Sequence, residues 1–331
     1  MKKTSAPPAG PSKVSVATLQ ETASRLPPKT VVIAGADRKE DLAVVKSLQG
    51  RPFVKRCLLV GDGPSIRDAA RALEVSLPAA DIVATASPEE TALRTVELVE
   101  QGVAEIILKG NISTPILNRA MLKIRARETM SLVTMFQSPC IGGGRPMLLT
   151  DAGVTTVCNA SRMTGLIQNA AEVAHLVLDM PRPRIALLSA NEKVIKSLPS
   201  TGLAADLSKE SWEDMVVYGP LSLDLAIDPE SVRLKGLSAG DAPAMREVAG
   251  QADVLVCPGL DAANILYKVL MSLTKCNLAS TAGITVGVKV PYIILSRADG
   301  EATKLDSIAL CCIYAERRKT GAAQAGLSPS R

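Results

Sequence analysis

Short apolar runs separated by helix-length stretches recur along almost the whole chain, and this alternation constrains the fold more than any other feature. Residues 31–34, 57–60 and 105–108 are apolar runs of strand length, and residues 37–48 and 65–73 between them carry helical patterning. Residues 87–102 are punctuated as a helix, with Ser87 as N-cap, Pro88 at the first position, Glu90 completing a capping box and Gly102 just past the end. Residues 147–150, 184–189, 215–217, 253–257 and 284–288 continue the series of strands. Strand, helix and strand in this order predict an α/β protein with a parallel sheet and right-handed crossovers.

The stretch from 286 to 307, VGVKVPYIILSRADGEATKLDS, carries the strongest chemical signal. Val290, Tyr292, Ile293, Ile294 and Leu295 read as a strand covered on both faces. Leu305, Ile308, Ala309 and Cys312 then share one apolar face of a helix over 301–318. Between the two lie Ser296, Arg297 and Asp299, where an open α/β sheet binds its ligands. Arg297 offers a rigid donor fork for phosphate or carboxylate, and the helix start adds backbone N–H groups. A serine cap beside an arginine satisfied by a carboxylate fits the same residues.

Because this stretch comes so late, it is expected to return to a first α/β domain formed by residues 30–150 plus 290–318. Residues 151–289 then form a second α/β domain, with the active site in the cleft between the two. Residues 1–29, rich in Pro, Ser and Ala, read as a loose arm with a short helix over 16–25, and 319–331 as a C-terminal tail.

A chain of 331 residues suffices for two ordinary domains, and 47% apolar with 21% charged residues describes a globular protein. No apolar run is long enough to span a bilayer, and the Lys-Lys start leads into Pro and Ser, so a cytoplasmic location without a membrane is expected. A net charge of +5 spread along the chain, with two Phe, one Trp and four Tyr, argues against nucleic acid as a partner. Seven cysteines without a CxxC and a single histidine argue against a disulfide framework or a zinc site. His175 sits beside the apolar stripe of a helix over 163–179 and reads as structural.

Lys109-Gly110-Asn111 follows a strand and precedes a helix starting near Pro115, with Thr114 as its cap. A lysine, a permissive glycine and exposed N–H groups make a phosphate cradle, although an ordinary turn has the same composition and the P-loop spacing is absent. Gly61-Asp62-Gly63 lacks the third glycine of a dinucleotide fingerprint. Arg125, Arg127 and Arg145 suit a polyphosphate or a solvated surface. Asn264 and Lys268 share a helix face at i, i+4 spacing and reach either a cleft or solvent.

In order along the chain stand LKGNIST (108–114), TMS (129–131), LLTDAGV (148–154), LPST (198–201), GPLSLDLAI (219–227), AANILYKVL (262–270) and VGVKVPYIILSRADGEATKLDSIAL (286–310). Together these blocks resemble the phosphate acetyl/butyryltransferase family, most closely its butyryltransferase branch, over about residues 31–318. The resemblance implies a two-domain fold of the isocitrate/isopropylmalate dehydrogenase-like type, dimeric or larger. It implies reversible transfer of a short acyl group between CoA and orthophosphate, without metal or nicotinamide cofactor. By the same resemblance Ser296 and Arg297 match the family's Ser-Arg pair, and Lys109, Gly110, Asn111, Asn264 and Lys268 fall in its ligand-binding motifs. Arg125, Ser131 and Lys289 complete the expected substrate-binding set, and Asp299 is the candidate base for the CoA thiol, with Glu301 second.

Four positions depart from the family pattern. Leu132 stands where a histidine is common, Thr155 where Asn is, Tyr218 where Asp is, and Gly300 where a second serine is. An inactive CoA- or acyl-phosphate-binding relative, and a dehydrogenase of the same fold class, are the two alternative readings.

Overall fold

The structure is a computed structural model that describes residues 14–236, 242–294 and 299–324. After α1 (Leu19–Ser24) the chain lays down β1 (Lys29–Ala34), α2 (Lys39–Leu48), β2 (Val54–Gly61), α3 (Gly63–Ala72), β3 (Ile82–Ala84), α4 (Pro88–Glu100), β4 (Ile106–Lys109) and α5 (Thr114–Met121). A hairpin of β5 (Ser131–Gln137) and β6 (Met147–Thr150) follows, then α6 (Ala160–Leu178), β7 (Arg184–Leu188), α7 (Pro199–Leu207) and β8 (Val216–Leu221). Next come α8 (Leu223–Ile227), α9 (Pro229–Leu234), α10 (Pro243–Val248), β9 (Val254–Val256), α11 (Leu260–Lys275), β10 (Ser280–Val286), β11 (Tyr292–Ile293) and α12 (Glu301–Gln324).

The strands form one sheet in the order β3-β2-β1-β4-β11-β10-β5-β6-β9-β7-β8, which runs through both segments expected as domains. Two parallel sets occupy its ends, β3-β2-β1-β4-β11 and β6-β9-β7-β8. The centre is antiparallel, since β10 opposes both β11 and β5, and β5 opposes β6. The expected parallel sheet therefore needs correction. The loop between β5 and β6 holds Gly142, Gly143 and Gly144, all at positive φ, and a short hairpin must reverse the strand direction. Residues 131–137 form β5, a strand not among those expected from the sequence.

Helix ends follow the local chemistry. Ser87 caps α4 by accepting from the Glu90 N–H at 3.2 Å, and the Glu90 carboxylate accepts from the Ala86 N–H at 2.7 Å. Asp62 caps α3 by accepting from the Ser65 N–H at 2.8 Å, so the Gly-Asp-Gly run serves a helix start. On α5 the cap position falls at Ser113, one residue before the expected Thr114. His175, late in α6, places Nδ1 2.6 Å from the Met180 carbonyl and Nε2 3.2 Å from Asp214, in line with a structural role.

One core cluster extends along a whole face of the sheet under α1, α2, α6 and α12. The other face carries two clusters, one built on β1, β4 and α5 and the other on β6, β9 and α11, and Val154 packs against both. From Val14 onward the stretch expected as a loose arm is packed, because Val14, Val16, Leu19 and Ala23 are buried and α1 lies on α12. Cys257, Cys311 and Cys312 are buried and Cys57 partly so. Burial pushes the Cys257 and Cys57 thiols up to about 12, which makes them small apolar residues in effect. No helix among the described residues is long and apolar enough to cross a membrane.

Candidate functional site

The carboxyl ends of β1 and β4 meet in an interlock of two glycines. Gly35 follows β1 at φ +78°, and a Cβ there would sit 2.6 Å from the Asn111 carbonyl carbon. Gly110 follows β4, and a Cβ there would sit 2.4 Å from the Gly35 oxygen. The Gly110 N–H donates to the Ala34 carbonyl at 2.9 Å, and the Asn111 N–H to the Gly35 carbonyl. The glycine of the Lys-Gly-Asn motif thus lets two strand ends cross, and the crossing fixes where Lys109 and Asn111 stand.

Above this corner opens a cavity of about 560 Å³ with Arg38, Glu40, Asp41, Lys109, Asn111 and Lys304 in its wall. Three cations on three separate elements face one space, which suits a multiply charged anion. Two carboxylates, Glu40 and Asp41, share the wall, and Asp41 has the altered titration. Burial pushes its carboxyl up to about 6, against the opposing pull of the Arg38 backbone and charge, while Asp37 and Glu40 push it further up. A raised carboxyl favours the protonated folded state, so its contribution is fully present below pH 3.8 and is lost as pH rises through 6. Asp41→Asn is accordingly expected to stabilise the protein by about 3 kcal/mol at pH 8, with the difference vanishing near pH 3.5. Urea titrations at the two pH values check this.

Asp299 lies between β11 and α12 and is buried. Burial and then the nearby Asp299 charge push the phenol of Tyr267 on α11 above its ordinary range. The ammonium of Lys268 lies 5.2 Å from the centre of the Tyr267 ring. One turn earlier, Asn264 Nδ2 donates to the Ala152 carbonyl at 2.9 Å. The loop that presents Ala152 is shaped by Asp151, which is buried and accepts the backbone N–H groups of Leu132, Gly153, Val154 and Thr155 at 2.8 to 3.2 Å. Burial pushes the Asp151 carboxyl up, and those four N–H groups oppose the push. Ser296 and Arg297 lie outside the described residues.

The other expected site residues occupy different places. Ile107, Tyr292, Thr285 and Leu132 pair in one row across β4, β11, β10 and β5. Ser131 is therefore three strands from Lys109, on the order of 15 Å at ordinary strand spacing. It is buried, and its hydroxyl accepts from Asn169 Nδ2 at 2.9 Å, which ties β5 to α6. Arg125 is exposed and bridges to Val288, while the Lys289 N–H donates to the Ile124 carbonyl at 2.9 Å. Arg127 pairs with Glu172 at 2.9 Å and Arg145 with Asp253 at 3.0 Å, so both arginines are engaged in holding the fold. Glu301, the second base candidate, is exposed and accepts from the Ser47 hydroxyl.

The departures from the family pattern also have local explanations. Leu132 is buried against Gly153, where a Cβ would lie 2.9 Å from Leu132 Cδ2, so an apolar contact fills this position. Thr155 Oγ1 donates to the Met130 carbonyl at 2.9 Å, and Tyr218 packs on the core near β8. A Cβ on Gly300 would meet nothing within 4 Å, so the missing serine leaves open space. Tyr267 and Asp41 were absent from the sequence-derived set. Tyr267 stands three residues after Asn264 on α11, and Asp41 announces itself only through burial.

Comparison with known proteins agrees with the resemblance. The profile described as phosphate acetyl/butaryl transferase matches residues 83–312. The phosphate butyryltransferase of Clostridium beijerinckii is 34% identical over 310 residues, covering 90% of this chain and 98% of that protein. The phosphate acetyltransferase of Thermotoga maritima is 35% identical over 236 residues, covering 69% of this chain and 76% of that protein. The crystal structure of a branched-chain phosphotransacylase from Enterococcus faecalis superposes with a TM-score of 0.72 at 32% identity, covering 87% of this chain and 99% of that one.

Proposed function

Because the chain belongs to the phosphate acetyl/butaryl transferase family, we propose that it transfers a short acyl group, acetyl to butyryl, reversibly between CoA and orthophosphate. The observation that carries this reading is the family match itself, which runs from before the Lys109 corner into α12 and so includes every motif of the candidate site. The cationic cavity beside Lys109 supports it, since both substrates are polyanions.

Phosphate oxygen attacks the thioester carbonyl of acyl-CoA, the C–S bond breaks, and acyl phosphate and CoA separate. The reaction needs two anions held side by side, a cation at the developing oxyanion and a proton for the departing thiolate. Arg297 and Ser296 hold the phosphate, and Lys109, Gly110 and Asn111 with Lys268 and Asn264 position the acyl-CoA. In the reverse direction Asp299 takes the proton of the CoA thiol as it attacks acyl phosphate. Both substrates meet in one ternary complex, between the half built on β1 and β4 and the half built on β6 and β9. The Asp299 charge acting on the Tyr267 phenol, which places the approach of α12 near α11, favours that location.

No metal or organic cofactor enters this scheme. The exposed Ile265 and Val269 on the outer face of α11 favour a homodimer, and a cytoplasmic location is part of the proposal. The dehydrogenase reading loses its only motif, since Asp62 of the Gly-Asp-Gly run caps α3. The inactive-relative reading makes the opposite forecast from the enzyme for one variant. Replacing Arg297 by Ala is expected to lower kcat/KM for phosphate by about a thousandfold, the scale of losing one charged donor at a developing oxyanion. Steady-state assays with butyryl-CoA check it, and a wild-type protein with no turnover to lose would favour the inactive relative.

A further inference from the structure

We propose that the acyl group of the substrate sits over Gly283, on the uncharged floor between the two halves, and that Gly283 and Leu132 set the chain length accepted there. This rests on the transferase reading and places the one part of acyl-CoA that such a floor suits. β10 presents Thr281, Gly283 and Thr285 to the sheet face that carries two core clusters, while Ala282, Ile284 and Val286 enter the single cluster on the other face. The strand therefore adds no apolar side chain to either of the two clusters, and they part along it. Leu132, opposite Thr285 on β5, belongs to the cluster of β6, β9 and α11. Tyr292, opposite Thr285 on β11, belongs to the cluster of β1, β4 and α5.

Solvent reaches the sheet along this line. After its first residue β10 is buried except at Gly283, and β5 is buried up to its last residue, Gln137. Gly283 pairs with Thr134, and a Cβ added to it would touch only Leu132 Cδ1, at 3.7 Å. The space over the glycine is thus open, with a leucine as its wall. That wall cannot retreat, because Gly153 lies behind it, close enough that a Cβ there would sit 2.9 Å from Leu132 Cδ2. The floor is held as well, since the Gly283 N–H donates to the Ser307 hydroxyl of α12 at 2.9 Å. The hydroxyls of Thr134 and Thr285 are buried alongside with no hydrogen-bond partner among the described residues, so these polar groups are not committed to the fold. A glycine floor, an aliphatic wall and no charge suit a short alkyl chain, while the anionic groups of both substrates are drawn to cations.

The test compares wild type, Gly283→Ala and Gly283→Val in kcat/KM for acetyl-, propionyl- and butyryl-CoA, and in Kd for acetyl- and butyryl-CoA by calorimetry. The Gly283 backbone lies outside the left-handed region and a Cβ fits, so the alanine variant should keep the wild-type urea midpoint. G283V is expected to lower the butyryl-to-acetyl ratio of kcat/KM by about tenfold or more, with G283A falling between it and wild type, as methylene-sized changes in a pocket do. Leu132→Val, which draws the wall back, should raise the rate with valeryl-CoA relative to butyryl-CoA. Unchanged ratios in these variants, or equal losses with all acyl groups in folded protein, would overturn the seat and leave the transferase reading standing. A wild type without turnover, in which G283V selectively weakens butyryl-CoA binding, would retain the seat and overturn the transferase reading. No turnover and no selective change in binding would overturn both.

Discussion

Gly35→Ala is expected to destabilise the protein by about 3–4 kcal/mol, the sum of left-handed backbone strain and an overpacked contact. Gly35 lies at φ +78°, and its added Cβ would meet the Asn111 carbonyl carbon at 2.6 Å and the oxygen at 2.7 Å. Those neighbours are backbone, so they cannot rotate aside as a side chain would. The built-in control is Gly50, which has φ +76° and nothing within 4 Å of a Cβ. Gly50→Ala carries the strain alone and should cost about 1–2 kcal/mol. Urea unfolding of the two variants separates the terms, and equal losses would contradict the interlock. Gly35→Ala should in addition displace Lys109 and Asn111, so whatever folded enzyme remains should show weakened substrate binding.

Asp151→Ala should cost about 3–5 kcal/mol, as removal of a buried charged partner does. The carboxylate is the acceptor for four backbone N–H groups from β5 and the loop after β6. Removing it strands donors that have no water to turn to, which is costlier than never having made the bonds. Asp151→Asn keeps one acceptor oxygen but turns an NH2 group toward donors, so it should recover only part of the loss. The Asn264 to Ala152 hydrogen bond sits on the same loop, so the folded fraction should also lose turnover. Urea midpoints at pH 7, with kcat measured alongside, check both statements.

Much of this architecture was legible because its signals are local. The apolar run of β1 is fully covered and those of β2 and β4 largely so, and Ser87-Pro88 with Glu90 is a helix start that needs no tertiary help. The central reversal was harder to read, because β5 pairs with β10, more than 140 residues later in sequence, and nothing local to either strand fixes the partner's direction. The site divides in the same way. Lys109, Asn264 and Lys268 were singled out as candidates from motif and spacing. Asp41 could not, because its altered titration comes from burial that only the assembled corner creates. Tyr267 resembles a core aromatic until the approach to α12 brings the Asp299 charge near its phenol. Gly110 was legible as a special backbone position, but its partner is a second glycine seventy-five residues away and not a ligand alone.

The most direct test is the release of free thiol from acetyl-, propionyl- and butyryl-CoA by the purified protein, with and without orthophosphate, with acyl phosphate trapped as the hydroxamate. The proposed function predicts release that depends on phosphate, matches acyl phosphate one for one, and runs backward from acyl phosphate and CoA. Binding of CoA with no phosphate-dependent release from any of the three thioesters would contradict it, and would identify the chain as a binding protein built on a transferase fold.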